Sequence, residues 1–331
     1  MAGDFAEALR ILRESEAYRR ANGDANRTNA LLQVAGALLP DDAQADESLT
    51  ETRDAILSNS WGPGTRFWDL TRLAEIQSRL GRFDDARATI ALAPPRTDGG
   101  DLFNLARVFV DLAERQAAEG GRAGALDAVD DTLRVVSTIE GPDYKFTPLS
   151  RAAKLLLSLG EVERAEAVIG RLAEHGIETS SWIEQLAEAK REAGDDDDAR
   201  ADLRRALELA EARLRDLIAA PPEPARDDLP GYAFYVTTVD PLSQAAADVV
   251  RIHLKLGDLE AAFRTIDALP DGTRQDALPA IAATFAARGE LDTAWGLVEE
   301  IDSPEARSRA IVRVALERPA EAAGDPPADP E

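Results

Sequence analysis

The sequence predicts an all-α fold, a solenoid of about eight antiparallel helix pairs. Three observations predict it. A glycine followed five residues later by an alanine recurs along the whole chain. Apolar residues before these glycines recur at helical spacing, and an acidic residue follows most of them. A mark that returns at a period of some tens of residues is typical of repeat proteins, in which each unit buries its apolar face against its neighbours.

The clearest copies of this mark read LGRFDDA from Leu80, LGEVERA from Leu159 and LGDLEAA from Leu256. AGDDDDA from Ala193 and RGELDTA from Arg288 follow the same spacing. Taken in order along the chain, the eight marks begin at Gly3, Pro40 (a degenerate copy), Gly81, Gly120, Gly160, Gly194, Gly257 and Gly289. We therefore expect about eight helix pairs.

Each part of the mark has a physical reason. Apolar residues before the glycine, such as Leu73, Ile76 and Leu80, lie on one face of a helix. Glycine can then adopt the left-handed conformation that ends this helix without a Cβ penalty. The acidic residue complements the positive end of the next helix, and the alanine allows the two helices to cross closely. Together these features predict an antiparallel helix pair.

The spacing of these residues resembles the tetratricopeptide repeat family. Gly194 carries the resemblance best, and Gly81 has a similar set. The matching positions are Leu186, Ala187, Ala199, Leu203 and Ala206 around the first, and Leu73, Ala74, Ala86, Ile90 and Ala93 around the second. The resemblance covers nearly all of residues 3–318 and implies a right-handed, TPR-like α-solenoid. Because many spacings are near 40 residues, against about 34 in the family, we expect long inter-repeat loops.

We expect one TPR-like helical repeat domain over residues 1–318, with an insertion or linker at 221–241. The acidic, proline-rich tail 319–331 lacks apolar periodicity and is expected to be disordered. The mark at Gly3 lacks a first helix, and RSRAIVRVALE from Arg307 lacks a second. Three interpretations stay open for these ends: a piece of a longer protein, ends that cover themselves, or head-to-tail association.

The net charge of −24 disfavours nucleic acid as a partner, because the summed field repels phosphate. The chain has no cysteine, which excludes disulfides, thiolate catalysis and cysteine-based zinc sites. The longest nearly apolar segment, ALLQVAGALL, is half the length of a membrane span, and MAGDFAEALR does not resemble an export signal. We expect a cytoplasmic protein without a membrane partner, or a periplasmic one if a leader was removed. The high arginine content suggests a bacterial source.

Catalytic motifs are missing from the sequence. Its two histidines, His175 and His253, have no second histidine at metal-ligand spacing, and GPG at 62–64 lacks the third glycine of a dinucleotide site. The acidic run 195–198 is explained by the start of a helix with a solvated face. We therefore expect no enzyme, no cofactor and no metal.

The family resemblance implies that the first helices line a concave face. The inner positions, carried over by distance from each glycine, are Arg27, Trp68, Thr71, Glu75, Arg107, Glu114, Ser150, Lys154, Glu184, Glu188, Gln244, Arg251 and Asp276. Arg27, Arg107, Lys154 and Arg251 stand out as cations that could bind an acidic or C-terminal peptide segment. The alternative is that these cations pair with the glutamates of the same face.

Three aromatic spacers, SWGPGTRFWDL, GPDYKFTPLS and LPGYAFYVTTVDPLS, precede first helices about two repeats apart. Their aromatics either pack over the groove between helix pairs or bind a partner. The residues concerned are Trp61, Trp68, Tyr144, Phe146, Tyr232, Phe234 and Tyr235.

The expected function is a scaffold or adaptor that binds a peptide or protein on its concave face. Two alternatives are an enzyme whose site lies in the groove and acts on a small substrate, and a structural protein that self-associates through its terminal helices.

Overall fold

A computed structural model describes residues 11, 28–37, 45–58, 62–141, 143–220 and 241–316, apart from the side chains at 271 and 272. Every regular element within these ranges is an α-helix, which confirms the all-α prediction. The helices are α1 (28–37), α2 (Ala45–Ser58), α3 (Pro63–Arg79), α4 (Phe83–Ala91), α5 (Gly99–Ala118), α6 (Arg122–Thr138), α7 (Phe146–Ser158), α8 (Val162–Glu174), α9 (Ser180–Glu192), α10 (Asp196–Ala219), α11 (Pro241–Leu256), α12 (Leu259–Asp267), α13 (Asp271–Ala287), α14 (Leu291–Glu299) and α15 (Pro304–Leu316).

The repeated glycines end helices in the way that the sequence predicts. Six of them have positive φ angles between 70° and 88°, namely Gly81, Gly120, Gly160, Gly194, Gly257 and Gly289. At each, the amide of the residue after the glycine donates a hydrogen bond to the carbonyl four residues before the glycine, as Arg82 does to Gln77 at 2.8 Å and Asp195 to Lys190 at 2.9 Å. This bond closes the turn that lets the chain reverse into a second helix.

The alanines of the mark lie where the two helices of a pair meet. None is more than 3% exposed at the six described glycine turns; the residues are Ala86, Ala125, Ala165, Ala199, Ala262 and Ala294. A larger side chain at these positions would push the helices apart, because protein interiors are close-packed.

The chain divides into two compact units between Ile177 and Glu178. In the first unit, α3 packs against α4 and α5, and α5 packs against α6 and α7. In the second unit, α11 packs against α12 and α13, and α13 packs against α14 and α15. At α3, α5, α11 and α13, therefore, a first helix contacts both its own second helix and the next first helix of its unit. Phe67, Leu70 and Leu112 fill the first core, while Ile183 and Phe285 are fully buried in the second.

The second helix α10 begins directly after Asp195 and has 24 residues. Several predictions fall on residues outside the described ranges. These are the site residues Arg27, Trp61, Tyr232, Phe234 and Tyr235, most of the linker 221–241, and the tail 319–331. None of the described helices combines the length and the apolar character that crossing a membrane requires.

Candidate ligand-binding cleft

In the first unit, the predicted groove residue Arg107 is held in ion pairs. Its guanidinium donates to Glu75 on α3 and, at 3.1 Å, to Asp111 on its own helix. Asp111 also accepts from Arg151 of α7 at 2.5 Å, and the Nε of Arg151 donates to Glu114 at 3.0 Å. A chain of alternating charges thus joins α3, α5 and α7. Arg107 therefore fits the alternative in which the cations of the predicted face pair with glutamates of the same face.

The other predicted residues of the first unit lie in different environments. Lys154 is exposed and makes no ion pair with any described residue. Thr71 is only 3% exposed and its hydroxyl donates to the carbonyl of Trp68 at 2.9 Å, so it does not present a polar group to solvent. Because it is buried, we leave Thr71 out of the binding surface proposed below.

The described spacer aromatics are half-exposed. Trp68 is 46% exposed and lies edge-on to Phe67, with ring centroids 5.8 Å apart. Tyr144 lies 5.9 Å from the ring of Phe103, and Phe146 is 45% exposed in the first turn of α7. Each therefore combines a packed edge with a face that a partner can reach.

In the second unit, the buried carboxylate of Glu184 on α9 organises a cluster of charges. Arg251 of α11 binds it with two parallel hydrogen bonds, both 2.8 Å, from Nε to Oε1 and from Nη2 to Oε2. Lys255, one turn further along α11, lies 2.9 Å from Glu184 Oε1 and 2.7 Å from Glu188 Oε2. Asp248 completes the cluster, accepting from Gln244 at 2.9 Å and lying 2.8 Å from Arg251 Nη2.

The pKa values of these groups reflect burial working against ion pairing. Burial by itself would raise the pKa of Glu184, but the hydrogen bonds and charges of Arg251 and Lys255 outweigh it and hold that pKa below its ordinary value. Burial dominates for Asp248, whose pKa is raised in spite of Arg251 and Gln244. The pKa of Arg251 is also raised, since its carboxylate partners outweigh its burial. Glu184 and Arg251 are therefore a fixed ion pair.

Above this cluster lies an open cleft of about 800 Å³ between α9, α10, α11 and the end of α13. Five basic residues and one acidic residue line it, together with small and apolar side chains. The charged lining residues are Arg191, Arg200, Arg251, Lys255, Arg288 and Glu188. A smaller cavity of about 180 Å³ shares Glu188, Arg191, Arg200 and Lys255, and adds Glu184 and Asp196.

The cations of this cleft differ in how far they are neutralised. Arg251 and Lys255 are satisfied by the cluster beneath them. Arg191 has a single exposed partner, Glu188 at 2.7 Å, and the Nε of Arg288 lies 3.2 Å from Glu290. Arg200 is exposed and makes no hydrogen bond or ion pair with any described residue. The surplus positive charge is thus carried by Arg191, Arg200 and Arg288.

The structure brings together Gln244 and Arg251 of the predicted set and places them beside Glu184 and Glu188. Sequence reasoning missed the cations at the ends of helices. Arg191 lies three residues before Gly194, Arg288 one before Gly289, and Arg200 six after Gly194. It also missed the charged residues nine positions before three of the glycines, namely Asp111 before Gly120, Arg151 before Gly160 and Asp248 before Gly257. The sign of the charge alternates between these three positions, and that alternation could have predicted ion pairs between neighbouring first helices.

Neither histidine is a lining residue of this cleft. His175 is the C-terminal cap of α8, and His253 is 8% exposed with its Nε2 3.6 Å from Glu211 Oε1. In the described part of the chain, no group of three or more His, Asp or Glu side chains is placed to hold a metal ion. The lining of the cleft, with five basic residues and one acidic residue, is suited to binding an anion through arginine and lysine side chains.

A scan against protein-family models finds no match to this chain, and a search of the curated proteins finds none either. Solved structures that match include the crystal structure of Ton1535 from Thermococcus onnurineus NA1. It is 16% identical, with 94% of this chain and 83% of that chain covered, and the TM-score is 0.27. At this score we transfer neither fold nor function from it.

Proposed function

We propose that the chain is a non-catalytic interaction module that binds a peptide or protein segment. Its fold is a divergent, TPR-like, right-handed α-solenoid of about eight helix pairs. Two regularities support that architecture: the same glycine turn recurs at six described positions, and four first helices, α3, α5, α11 and α13, each pack on the next first helix of their unit. In such a fold the first helices line the binding face.

The observation that carries the function is the cationic cleft of the second unit. The net charge of the protein is −24, yet Arg191, Arg200 and Arg288 line one opening in which basic residues outnumber acidic ones five to one. Exposed arginines without full ion pairing are suited to recognise carboxylates, because the guanidinium offers a fixed fork of donors. A cleft open to solvent along its length also accepts a chain segment.

The chemistry of the buried charges supports binding rather than catalysis. Glu184 and Asp248 are the groups of this unit whose carboxyl pKa values are displaced, and both are held by Arg251 in the ion-pair cluster. A carboxylate locked in two parallel hydrogen bonds is a poor proton donor or acceptor for a substrate. This cluster instead fixes α11 against α9, next to the cleft.

Affinity capture tests the proposal. The intact chain and a double variant, Arg200→Ala with Arg288→Ala, are immobilised beside the control Arg205→Ala, which removes an exposed arginine of the same helix outside the cleft. Bound proteins are identified by mass spectrometry, and the strongest is purified and titrated against each variant. We expect binding to the intact chain and the control, and loss in the double variant. Equal binding to all three would reject the cleft as the binding surface.

A further inference from the structure

We propose that the cleft binds an acidic peptide segment, and that Glu188 occupies the position of the ligand's carboxylate in the free protein. The inference rests on the proposed function and names the chemistry of the partner. Its basis is the geometry of one side chain among the cations of the cleft.

The carboxylate of Glu188 bridges two cations from different helices. Its Oε1 lies 2.7 Å from Arg191 Nη2 and its Oε2 lies 2.7 Å from Lys255 Nζ. The side chain of Glu188 is 40% exposed, unlike the buried Glu184 beneath it, which is 6% exposed. A rotation of its χ angles can therefore release both cations to an incoming carboxylate without opening the core.

A second carboxylate position lies at Arg200 and Arg288. Arg200 has no described partner, and the Nη groups of Arg288 are not engaged by Glu290, which contacts Nε. Because Glu188 is the single acidic residue that lines the main cleft, an added carboxylate meets little repulsion there. Because the cleft has cations beyond the two that Glu188 binds, it favours a segment with at least two acidic side chains over a lone terminal carboxylate.

The remaining surface of the cleft selects a peptide rather than a simple inorganic anion. Leu256, Ala283 and Ala287 contribute apolar surface to the same cleft, and they are partly or fully exposed. A segment with an apolar side chain between acidic ones would cover this surface and gain the corresponding burial. The strongly negative net charge opposes a nucleic-acid backbone, whose charge extends beyond the cleft.

Internal competition by Glu188 has a measurable consequence. Removing its charge frees Arg191 and Lys255 before the ligand arrives, so the ligand no longer has to displace an existing ion pair. Glu188→Gln is therefore expected to strengthen binding, although the substitution removes two contacts from the free protein. A purely structural role of Glu188 predicts weaker or unchanged binding.

Fluorescence anisotropy tests this inference with defined probes. The first probe is a dye-labelled, C-terminally amidated peptide of sequence GELEELG. The second is the amidated GQLQQLG, which keeps the size and removes the charge, and the third is GQLQQLG with a free C-terminal carboxylate. Each is titrated with the intact chain, Glu188→Gln, the Arg200→Ala and Arg288→Ala double variant, and Arg205→Ala, at two salt concentrations. Circular dichroism checks that each variant is folded.

We expect the intact chain to bind the acidic probe and to discriminate against both glutamine peptides. Glu188→Gln should bind it about three- to tenfold more tightly, since two partly exposed ion pairs no longer compete. The double variant should bind at least about tenfold more weakly, and Arg205→Ala should match the intact chain. Affinity should fall as salt screens the charges.

Three results would overturn the inference: equal binding of acidic and glutamine peptides, a free terminal carboxylate that binds as well as the acidic probe, or no gain from Glu188→Gln. The two proposals fail separately. If the double variant loses a captured protein while the acidic probe does not bind, the module function stands and the acidic-peptide inference is rejected. If neither the capture nor the probe responds to the double variant, both are rejected.

Discussion

The two units use charge on their first helices in different ways. In the first unit, Arg107 and Arg151 are bound by three carboxylates in a chain that joins α3, α5 and α7. In the second unit, Arg251 and Lys255 are bound by the cluster around Glu184, while Arg191, Arg200 and Arg288 remain available at the cleft above. One surface is largely neutralised by its own ion pairs and the other keeps a surplus of cations.

This difference teaches where a helical repeat can place binding charge. The positions along the middle of the first helices face neighbouring first helices, so opposite charges there pair with each other. Arg191 and Arg288 instead lie in or just beyond the last turn of a first helix, and Arg200 lies in the second turn of a second helix. Cations at these turns reach the opening of the cleft, away from the row of pairs.

Glu184→Gln is expected to have the largest effect on the second unit. It removes the buried charge that Arg251 and Lys255 both bind and leaves two cations short of a partner, so we expect a loss of about 2–3 kcal/mol in the free energy of unfolding. Urea unfolding followed by circular dichroism measures it, with the exposed Glu192→Gln as the matched control. A loss no greater than that of the control would show that the cluster does not anchor α11 on α9.

The stabilising effect of Glu184 should also depend on pH. Its pKa is lower in the folded protein than the ordinary value of 4.5, so its contribution is complete above that pH and is lost as the pH falls through the folded value. The raised pKa of Asp248 has the opposite effect on stability. The contribution of Asp248 to the free energy of unfolding is present at low pH and is lost as the pH rises.

The stability difference between the wild-type chain and Glu184→Gln should therefore be constant from pH 7 to about pH 5 and shrink below about 4.5. Unfolding curves at several pH values measure this difference. A difference that grows on acidification would contradict the assignment of Glu184 as the ionised partner of Arg251.

The glycine turns should behave alike in the two units, in contrast to the charges. Gly81 and Gly194 have φ angles of 74° and 88°, and no atom lies closer than 3.7 Å to a Cβ built on either one. Alanine at either position should cost about 1–2 kcal/mol through backbone conformation alone. Gly170→Ala, within α8 and also free of contacts, should stabilise by about 0.5–1 kcal/mol. Unequal costs at Gly81 and Gly194 would mean that the units differ in more than charge.

Arg151→Met is expected to have the smallest effect of this series. It keeps the aliphatic stem and removes the charge between Asp111 and Glu114, which should cost about 1 kcal/mol in the free energy of unfolding, less at high salt. Binding of the acidic probe to the second unit should not change. A loss of probe affinity as large as that of the Arg200 and Arg288 double variant would remove the distinction between the two surfaces.

Much of the local architecture follows from the sequence. The mark at Gly81 and its equivalents predicts where helices end, because a left-handed turn is a property of a few adjacent residues. The alanine five residues later is buried for an equally local reason, since it faces the helix that the turn has just reversed. The alternative in which the cations pair with glutamates of the same face named no individual pairs, and it describes Arg107 with Glu75 and Arg251 with Glu184. Glu114 and Lys154, however, both lie six residues before a repeat glycine, Gly120 and Gly160 respectively. That shared position did not predict that Glu114 would bind Arg151 instead of Lys154.

The sequence by itself determined the helical class, the turns and the supply of charged residues on the first helices. Tertiary structure decided which of those charges neutralise one another. Glu184 and Arg251 are 67 residues apart in sequence, and Asp111 and Arg151 are 40 apart, so their contacts depend on how whole helices pack. Ion pairing acts over a few ångströms and is sensitive to side-chain direction. For that reason only the packed helices distinguish Arg251 from Arg200. Arg251 is paired with Glu184 in the cluster, whereas Arg200 lines the cleft and has no ion-pair partner among the described residues.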